Sequence, residues 1–171
     1  APRTDVWGLS DLDLFKETFK KLSKLPPDQP FFAVIQSASF HRPYTIPTNK
    51  DDFEVKHLPD DQVKNAGFIS NEEYNSMRFS DYSLGTFIKL LKSSPLYKNT
   101  IIVVTGDHGL PDENAPHISL ARRVTEIEKY HVPFIIHNPT LFPEHKVDSR
   151  LVQETDAMAT LRSSRLRSFA R

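Results

Sequence analysis

Several kinds of residue and segment are scarce or missing from this chain. It contains no cysteine, so it forms neither disulfide bonds nor thiolate metal sites. Its 22 basic and 22 acidic residues balance, so no overall field favours a nucleic acid or a membrane surface as partner. No apolar run approaches the roughly 18 residues of a membrane-spanning helix, and no signal peptide is visible. The 171 residues are therefore one domain or a piece of a larger one.

The clearest functional pattern follows a short apolar run. Residues Thr100 to Thr105 are mostly β-branched, which predicts a strand buried on both faces of a sheet. The run ends at a carboxylate and an imidazole, Asp107 and His108, between two glycines. Ligands of open α/β sheets bind beyond the carboxyl ends of strands, and an oxygen beside a nitrogen suits zinc or manganese. The alternative is that Asp107 caps a turn and His108 is an ordinary loop histidine.

A second group of polar residues follows another predicted strand, Phe31–Gln36. The loop after it carries His41 and Arg42, and prolines restrict its path. Arginine beside histidine at the end of a strand can hold a phosphate or sulfate, although a lone pair of this kind is more often ordinary surface chemistry.

Two amphipathic helices accompany these strands. The first is predicted to begin after Ser10, with Leu12, Phe15, Phe19 and Leu22 on one face. The second begins at Ser70, and its predicted core stripe is Tyr74, Met77, Leu84, Ile88 and Leu91. Asp81 falls on that stripe, which predicts a buried carboxylate with structural hydrogen bonds.

The order strand, helix, strand predicts a right-handed parallel βαβ unit, with His131–His137 as a third strand. The predicted fold class is α/β, with a mostly parallel sheet sandwiched by helices. Parallel strands deliver their trailing loops to one edge, so His41 and the Asp107–His108 pair are expected on one face.

Three further segments have less specific patterns. His117 is either a further ligand or a substrate contact, and Trp7 is either a packing residue or a wall of the binding site. Glu154–Leu161 is predicted to start a helix, and residues 162–171 form a basic, low-complexity tail. The first residues, Ala1 to Asp5, are not typical of a natural start, so we expect a fragment of a longer protein.

Four motifs in order resemble the sulfatase superfamily within the alkaline-phosphatase-like fold, and most of all its lipoteichoic-acid-synthase-like branch. The similarity extends roughly from Trp7 to Leu161. The motifs are the strand Phe31–Gln36 with its loop His41–Pro47, the segment Phe79–Gly85, the segment Asn99–Gly109, and the segment Tyr130–Ile136.

The resemblance implies metal-assisted transfer or hydrolysis of a phosphate or sulfate ester. It implies that Asp107 and His108 are metal ligands and that His41 and His117 contact the substrate. Manganese is the usual metal of that branch, and zinc, calcium and magnesium are the alternatives. The family nucleophile, a threonine, serine or modified cysteine, has no match here, so no catalytic nucleophile is assigned to this chain.

The implied organisation is a partial sulfatase-type catalytic domain at residues 1–161, followed by the tail at 162–171. We expect the carboxyl-terminal half of the domain, inactive by itself; the alternative is a non-catalytic metal- or anion-binding module derived from it. The implied partners are an ester substrate, with a phospholipid head group as one form, the missing amino-terminal half, and further copies of the chain. No nucleic acid is expected. The implied location is extracytoplasmic, with the parent protein anchored in the cytoplasmic membrane.

Overall fold

A computed structural model describes residues 5–26, 28–110 and 118–162. In that part of the chain, helices precede and follow a small sheet. The helices are α1 (Asp11–Leu22), α2 (Asp60–Asn65), α3 (Asn71–Lys92), α4 (Leu96–Asn99), α5 (Leu120–Thr125) and α6 (Glu154–Leu161). The strands are β1 (Ile102–Thr105) and β2 (Phe134–His137), and a 3₁₀ turn spans Ile127–Lys129.

Helix α1 confirms its predicted cap and its predicted apolar face. The Ser10 hydroxyl accepts a hydrogen bond from the Asp13 N–H at 3.2 Å, which satisfies one of the free donors of the first turn. Leu12 and Phe15 are buried, and the other two residues of the predicted stripe pack at the margin of the same core.

Helix α3 packs against α1, but on a face different from the predicted one. Phe79, Ser83, Phe87 and Leu91, spaced four residues apart, are buried along α3, and Glu73, Asn75 and Ser76 are buried near its start. Phe15 stacks on Phe87 with ring centroids 5.2 Å apart. The predicted stripe was therefore partly wrong: Leu91 is buried, whereas Met77 is exposed. The prediction for Asp81 was also wrong, because this carboxylate lies on the exposed side of the helix.

The described sheet consists of β1 and β2, which pair antiparallel with Ile102 opposite His137 and Thr105 opposite Phe134. The predicted strand Phe31–Gln36 is not a strand in this structure, so the parallel βαβ unit is not formed among the described residues. A strand requires a neighbour for its backbone groups, and this segment has no ladder partner in the described part of the chain. β1 is also half-buried rather than buried on both faces.

The segment Phe31–Gln36, before the His41 loop, is largely exposed. Phe32 and Val34 are 75% and 81% exposed, whereas Ile35 packs against the cluster of Phe15, Phe87 and Leu91. Ile102 of β1 packs on the same cluster. The segment and β1 therefore rest on the same helical layer, and the segment leaves a row of apolar side chains exposed.

The carboxyl-terminal part confirms the predicted helix at Glu154–Leu161 and shortens the third predicted strand to β2. Asn138, directly after β2, binds the segment that precedes β1, because its side-chain N–H groups donate to the carbonyls of Lys98 and Thr100 at 3.1 and 2.9 Å. Nearly all of the predicted tail, residues 163–171, lies outside the described residues. Among the described helices, none combines the length and the apolar character needed to cross a bilayer.

Candidate functional site

A buried carboxylate fixes the start of the loop that carries His41. Asp11 is 0% exposed, and its Oδ1 accepts hydrogen bonds from the backbone N–H groups of Ala38 and Ser39 at 2.8 and 3.0 Å. Its Oδ2 accepts from the Ser80 hydroxyl of α3 at 2.9 Å. Three donors compensate the cost of burying this charge, and they join α1, α3 and the loop at one point.

A second buried pair fixes the other side of the same loop. The Tyr44 hydroxyl donates to Glu73 Oε1 at 2.8 Å, and the backbone N–H of Ile69 donates to Glu73 Oε2 at 2.7 Å. Burial, and then the hydrogen bond to Glu73, raise the pKa of Tyr44 above its usual value. Tyr44 also adopts a left-handed backbone conformation, with φ of 61°.

His41 itself lies at the exposed turn between these two anchors. The Tyr44 N–H donates to the His41 carbonyl at 2.9 Å, which closes the turn. The His41 Nδ1 lies 2.9 Å from the Arg42 carbonyl oxygen. A carbonyl only accepts hydrogen bonds, so Nδ1 carries the proton and Nε2 of a neutral ring carries the free lone pair. Nε2 is thus the nitrogen that remains to accept a proton, and only after it is protonated can it donate to an anion.

The Asp107–His108 turn begins directly after β1 and Gly106. Asp107 Oδ1 accepts the backbone N–H of His108 at 3.0 Å, and the His108 Nδ1 lies 2.9 Å from the Gly109 carbonyl oxygen. The same reasoning places the proton of a neutral His108 on Nδ1 and a lone pair on Nε2. Both side chains are exposed. An exposed carboxylate beside an imidazole whose other nitrogen is held by a carbonyl fits a divalent metal.

Glycine is required at the end of this turn. The Gly109 N–H donates to the Lys129 carbonyl at 2.8 Å, and a Cβ at Gly109 would lie 2.0 Å from the carbonyl oxygen of Glu128. A side chain therefore cannot be added without moving the backbone of the 3₁₀ turn. At Gly106 a Cβ would lie 3.1 Å from the Val132 side chain, which leaves little room. Close backbone approach holds the Asp107–His108 pair in place.

The contacts that the structure gives for the two groups lie within each group. His41 contacts Trp7 and Arg42, whereas Asp107 and His108 bond within their own turn. The meeting of the two groups on one face stays a prediction. No cluster of three metal-binding side chains occurs among residues 5–26, 28–110 and 118–162. His117, the further predicted contact, lies outside those ranges.

Sequence reasoning missed the residues that position His41. Asp11 and Glu73 lie in the first turns of two helices, where a favourable charge and a capping box are the ordinary roles of a carboxylate. One hydrogen bond of the capping box is present, because the Ser70 hydroxyl accepts the Glu73 N–H at 3.2 Å. The Glu73 carboxylate instead accepts from the Ile69 N–H and the Tyr44 hydroxyl. A carboxylate next to the apolar face of a helix was the available signal for Asp11.

One solved structure has the same fold over most of this chain. The crystal structure of a protein in the alkaline phosphatase superfamily from Vibrio parahaemolyticus matches with a TM-score of 0.54 and 28% sequence identity. The match covers 81% of this chain and 30% of that chain. The fold is therefore a partial α/β domain of the alkaline-phosphatase-like class.

The comparison of sequences gives the family. A model of the sulfatase family matches residues 1–163, and the chain belongs to this family. It is 33% identical to lipoteichoic acid synthase-like YvgJ of Bacillus subtilis over 140 residues, which are 78% of this chain and 21% of that protein. Lipoteichoic acid synthase 1 of the same organism is 30% identical over 160 residues, 90% of this chain and 23% of that protein.

A more distant relative broadens the range of chemistry. Phosphoglycerol transferase I of Escherichia fergusonii is 26% identical over 102 residues, which are 60% of this chain and 12% of that protein. The chain thus spans between about an eighth and a quarter of the length of these relatives. The resemblance expected from the sequence motifs is confirmed.

Proposed function

We propose that this chain is the carboxyl-terminal half of the catalytic domain of a metal-dependent enzyme that transfers or hydrolyses phosphate or sulfate esters. Asp107 and His108 are its metal ligands, and His41 contacts the substrate anion. The observation that carries the proposal is the arrangement after β1, where the Gly109 carbonyl fixes His108 Nδ1 beside an exposed carboxylate. Membership of the sulfatase family and the phosphoglycerol transferase relative support the substrate class.

The metal proposed for this site is manganese. A bound divalent ion would polarise the ester oxygen and lower the pKa of an attacking hydroxyl. Oxygen and nitrogen ligands together suit manganese or zinc better than calcium or magnesium, which favour oxygen alone. Two ligands make half of a site, so the affinity of this chain alone is expected to be low.

The proposed role of His41 follows from the hydrogen bond that holds its Nδ1. With Nδ1 bonded to the Arg42 carbonyl, Nε2 is the nitrogen that meets the substrate. A protonated Nε2 donates to a phosphate or sulfate oxygen, and a charged hydrogen bond of this kind is stronger than a neutral one. His117 is proposed as a second substrate contact on the strength of the family resemblance.

We further propose residues 1–161 as the catalytic part, with the nucleophile and the other acidic ligand supplied by the missing amino-terminal half. The exposed Phe32 and Val34 support this, because they leave apolar surface for that half to cover. An extracytoplasmic location and a membrane-anchored parent are proposed from the resemblance to lipoteichoic acid synthases.

Manganese binding tests the assignment of the metal ligands. Mn²⁺ is paramagnetic and broadens the NMR signals of nearby nuclei, so titration detects even weak binding. We expect signals of residues 106–109 to broaden first in the unaltered chain, and the effect to be lost in Asp107→Asn.

The matched control is Asp81→Asn, which removes an exposed carboxylate from α3. Broadening that starts elsewhere, or that persists unchanged in Asp107→Asn, contradicts the proposed ligands.

Activity assays test the claim that the chain is incomplete. We expect the chain alone to give no measurable hydrolysis of a phosphate or sulfate ester with Mn²⁺ present. Hydrolysis that Asp107→Ala abolishes would show a complete enzyme. If adding the missing half restores no activity, the non-catalytic binding module becomes the better explanation.

A further inference from the structure

The only tryptophan of the chain makes specific contacts although most of its side chain is open to solvent. Trp7 is 57% exposed, which is unusual for a residue whose role is to fill a core. Its indole lies against His41, with ring centroids 4.7 Å apart and an interplanar angle of 76°. This edge-to-face geometry is one of the favoured arrangements of aromatic rings.

Trp7 and His41 also share a hydrogen-bond acceptor. The indole Nε1–H donates to the Arg42 carbonyl oxygen at 3.0 Å, and the imidazole Nδ1 lies 2.9 Å from the same oxygen. A carbonyl oxygen has two lone pairs and can accept both N–H groups at once. Trp7 therefore contacts both the His41 ring and the carbonyl oxygen that accepts its Nδ1–H.

The turn that carries Trp7 is itself tied to the loop. Asp5 and Gly8 exchange backbone hydrogen bonds at 2.9 and 3.2 Å, which bends the chain around Trp7. The Thr45 hydroxyl, beyond His41 in the loop, donates to Asp5 Oδ1 at 2.7 Å. Two separate contacts thus keep the indole beside His41, so its position does not depend on burial.

From these contacts we infer that Trp7 is a positioning residue, which holds the His41 imidazole with Nδ1–H on the Arg42 carbonyl and leaves Nε2 as the nitrogen that, once protonated, donates to the substrate anion. The functional meaning of this inference rests on the proposed function, in which His41 contacts the ester. Trp7 acts through His41 and does not itself take part in the chemistry. Among the open alternatives for Trp7, neither plain packing nor a wall of the site accounts for the shared carbonyl.

Nitrogen NMR of the histidine side chains tests the inference in this chain as it stands. The ¹⁵N shifts of Nδ1 and Nε2 report which nitrogen carries the proton, measured at about pH 8, where an ordinary imidazole is neutral. We expect mainly the Nδ1–H form for His41. In Trp7→Ala the ratio of Nδ1–H to Nε2–H should fall by about two- to tenfold, the range expected from the loss of an aromatic pair.

Two variants sharpen the test. Trp7→Phe keeps a ring beside His41 but removes the indole N–H, and it should give a smaller fall in the ratio. Tyr130→Ala removes an aromatic side chain that is 79% exposed, and it should leave the ratio unchanged. An unchanged ratio in a folded Trp7→Ala overturns the inference. If circular dichroism shows that Trp7→Ala does not fold, an unchanged ratio in Trp7→Phe overturns it instead.

This result is independent of the proposed function. A changed ratio, together with Mn²⁺ broadening that misses the Asp107–His108 turn, would keep the role of Trp7 and reject the metal ligands. An unchanged ratio with the expected Mn²⁺ broadening would reject the role of Trp7 and keep the metal ligands.

Discussion

The loop that carries His41 and the turn that carries Asp107 and His108 are held in place by different means. The loop is fixed from outside, by the buried carboxylates of Asp11 and Glu73, which come from two helices. The turn is fixed by its own backbone, through hydrogen bonds between neighbouring residues and the close approach of Gly109 to the 3₁₀ turn.

The difference indicates how much each region depends on the rest of the protein. Side chains that lie far apart in the sequence over-determine the position of His41, so this part of the site is pre-organised in the chain alone. The Asp107–His108 pair is held by backbone contacts within its turn and with the 3₁₀ turn, and it needs ligands from elsewhere to complete a metal site. Breaking the two supports separately should therefore affect the two regions separately.

Removal of the Asp11 carboxylate should have the largest effect. In Asp11→Ala the N–H groups of Ala38 and Ser39 and the hydroxyl of Ser80 lose their acceptor inside the protein. We expect the free energy of unfolding to fall by about 4 kcal/mol, because buried donors without partners are costly. Urea denaturation measures this change, and NMR should show His41 altered and His108 nearly unchanged.

Asp81→Ala is the matched control for Asp11→Ala. It removes the same type of side chain from an exposed position on α3, and its effect should stay within about 0.5 kcal/mol. Equal losses in the two variants would contradict the structural role of Asp11.

A methyl group at Gly109 should break the other support. In Gly109→Ala the new Cβ would meet the Glu128 carbonyl oxygen at 2.0 Å, so the turn must shift. We expect a loss of about 3 kcal/mol in the free energy of unfolding, with His108 altered and His41 retained.

Gly85 of α3 provides a control in which the same substitution should change the stability in the opposite direction. A Cβ at Gly85 meets no atom within 4 Å, so Gly85→Ala should raise the stability by about 0.5–1 kcal/mol, since alanine favours a helix. A Gly109→Ala variant as stable as Gly85→Ala would show that the close approach is not a constraint.

The smallest effect is expected from high pH, through Tyr44 of the His41 loop. The pKa of Tyr44 is raised in the folded chain, so its neutral form is favoured by folding. This contribution is complete below the ordinary tyrosine pKa of about 10 and is lost as the pH rises through the higher folded value. Absorbance at 295 nm should show one late-ionising tyrosine that is missing from Tyr44→Phe; a titration identical in both chains would refute the assignment.

Local patterns in the sequence predicted the elements whose signals are local. The Ser10 cap, the apolar face of α1, the start of α3 and the helix at Glu154–Leu161 are all in place, because capping residues and periodicity act over a few positions. The pattern around Asp107 and His108 predicted a turn directly after a strand, and β1 ends at Thr105 as expected. The motifs of the sulfatase family gave the fold class.

Features that depend on distant partners could not be predicted in this way. The backbone donors to Asp11 lie 27 and 28 residues away in the sequence, and no residue near Asp11 predicts them. Asp81 was assigned to the core because the apolar residues of α3 fit more than one face, and only packing against α1 selects the face of Phe79 and Phe87. The segment Phe31–Gln36 has the composition of a buried strand, but pairing requires a neighbour that the described residues do not provide.

The position of the single tryptophan determines what its fluorescence reports. Trp7 lies against His41 and donates to the Arg42 carbonyl, so its emission reports the state of the His41 loop. Circular dichroism, in contrast, follows the helices, most of all α1 and α3. If the two signals change at the same urea concentration, the loop and the helical layer unfold as one cooperative unit; separate midpoints would make the loop an independently melting region.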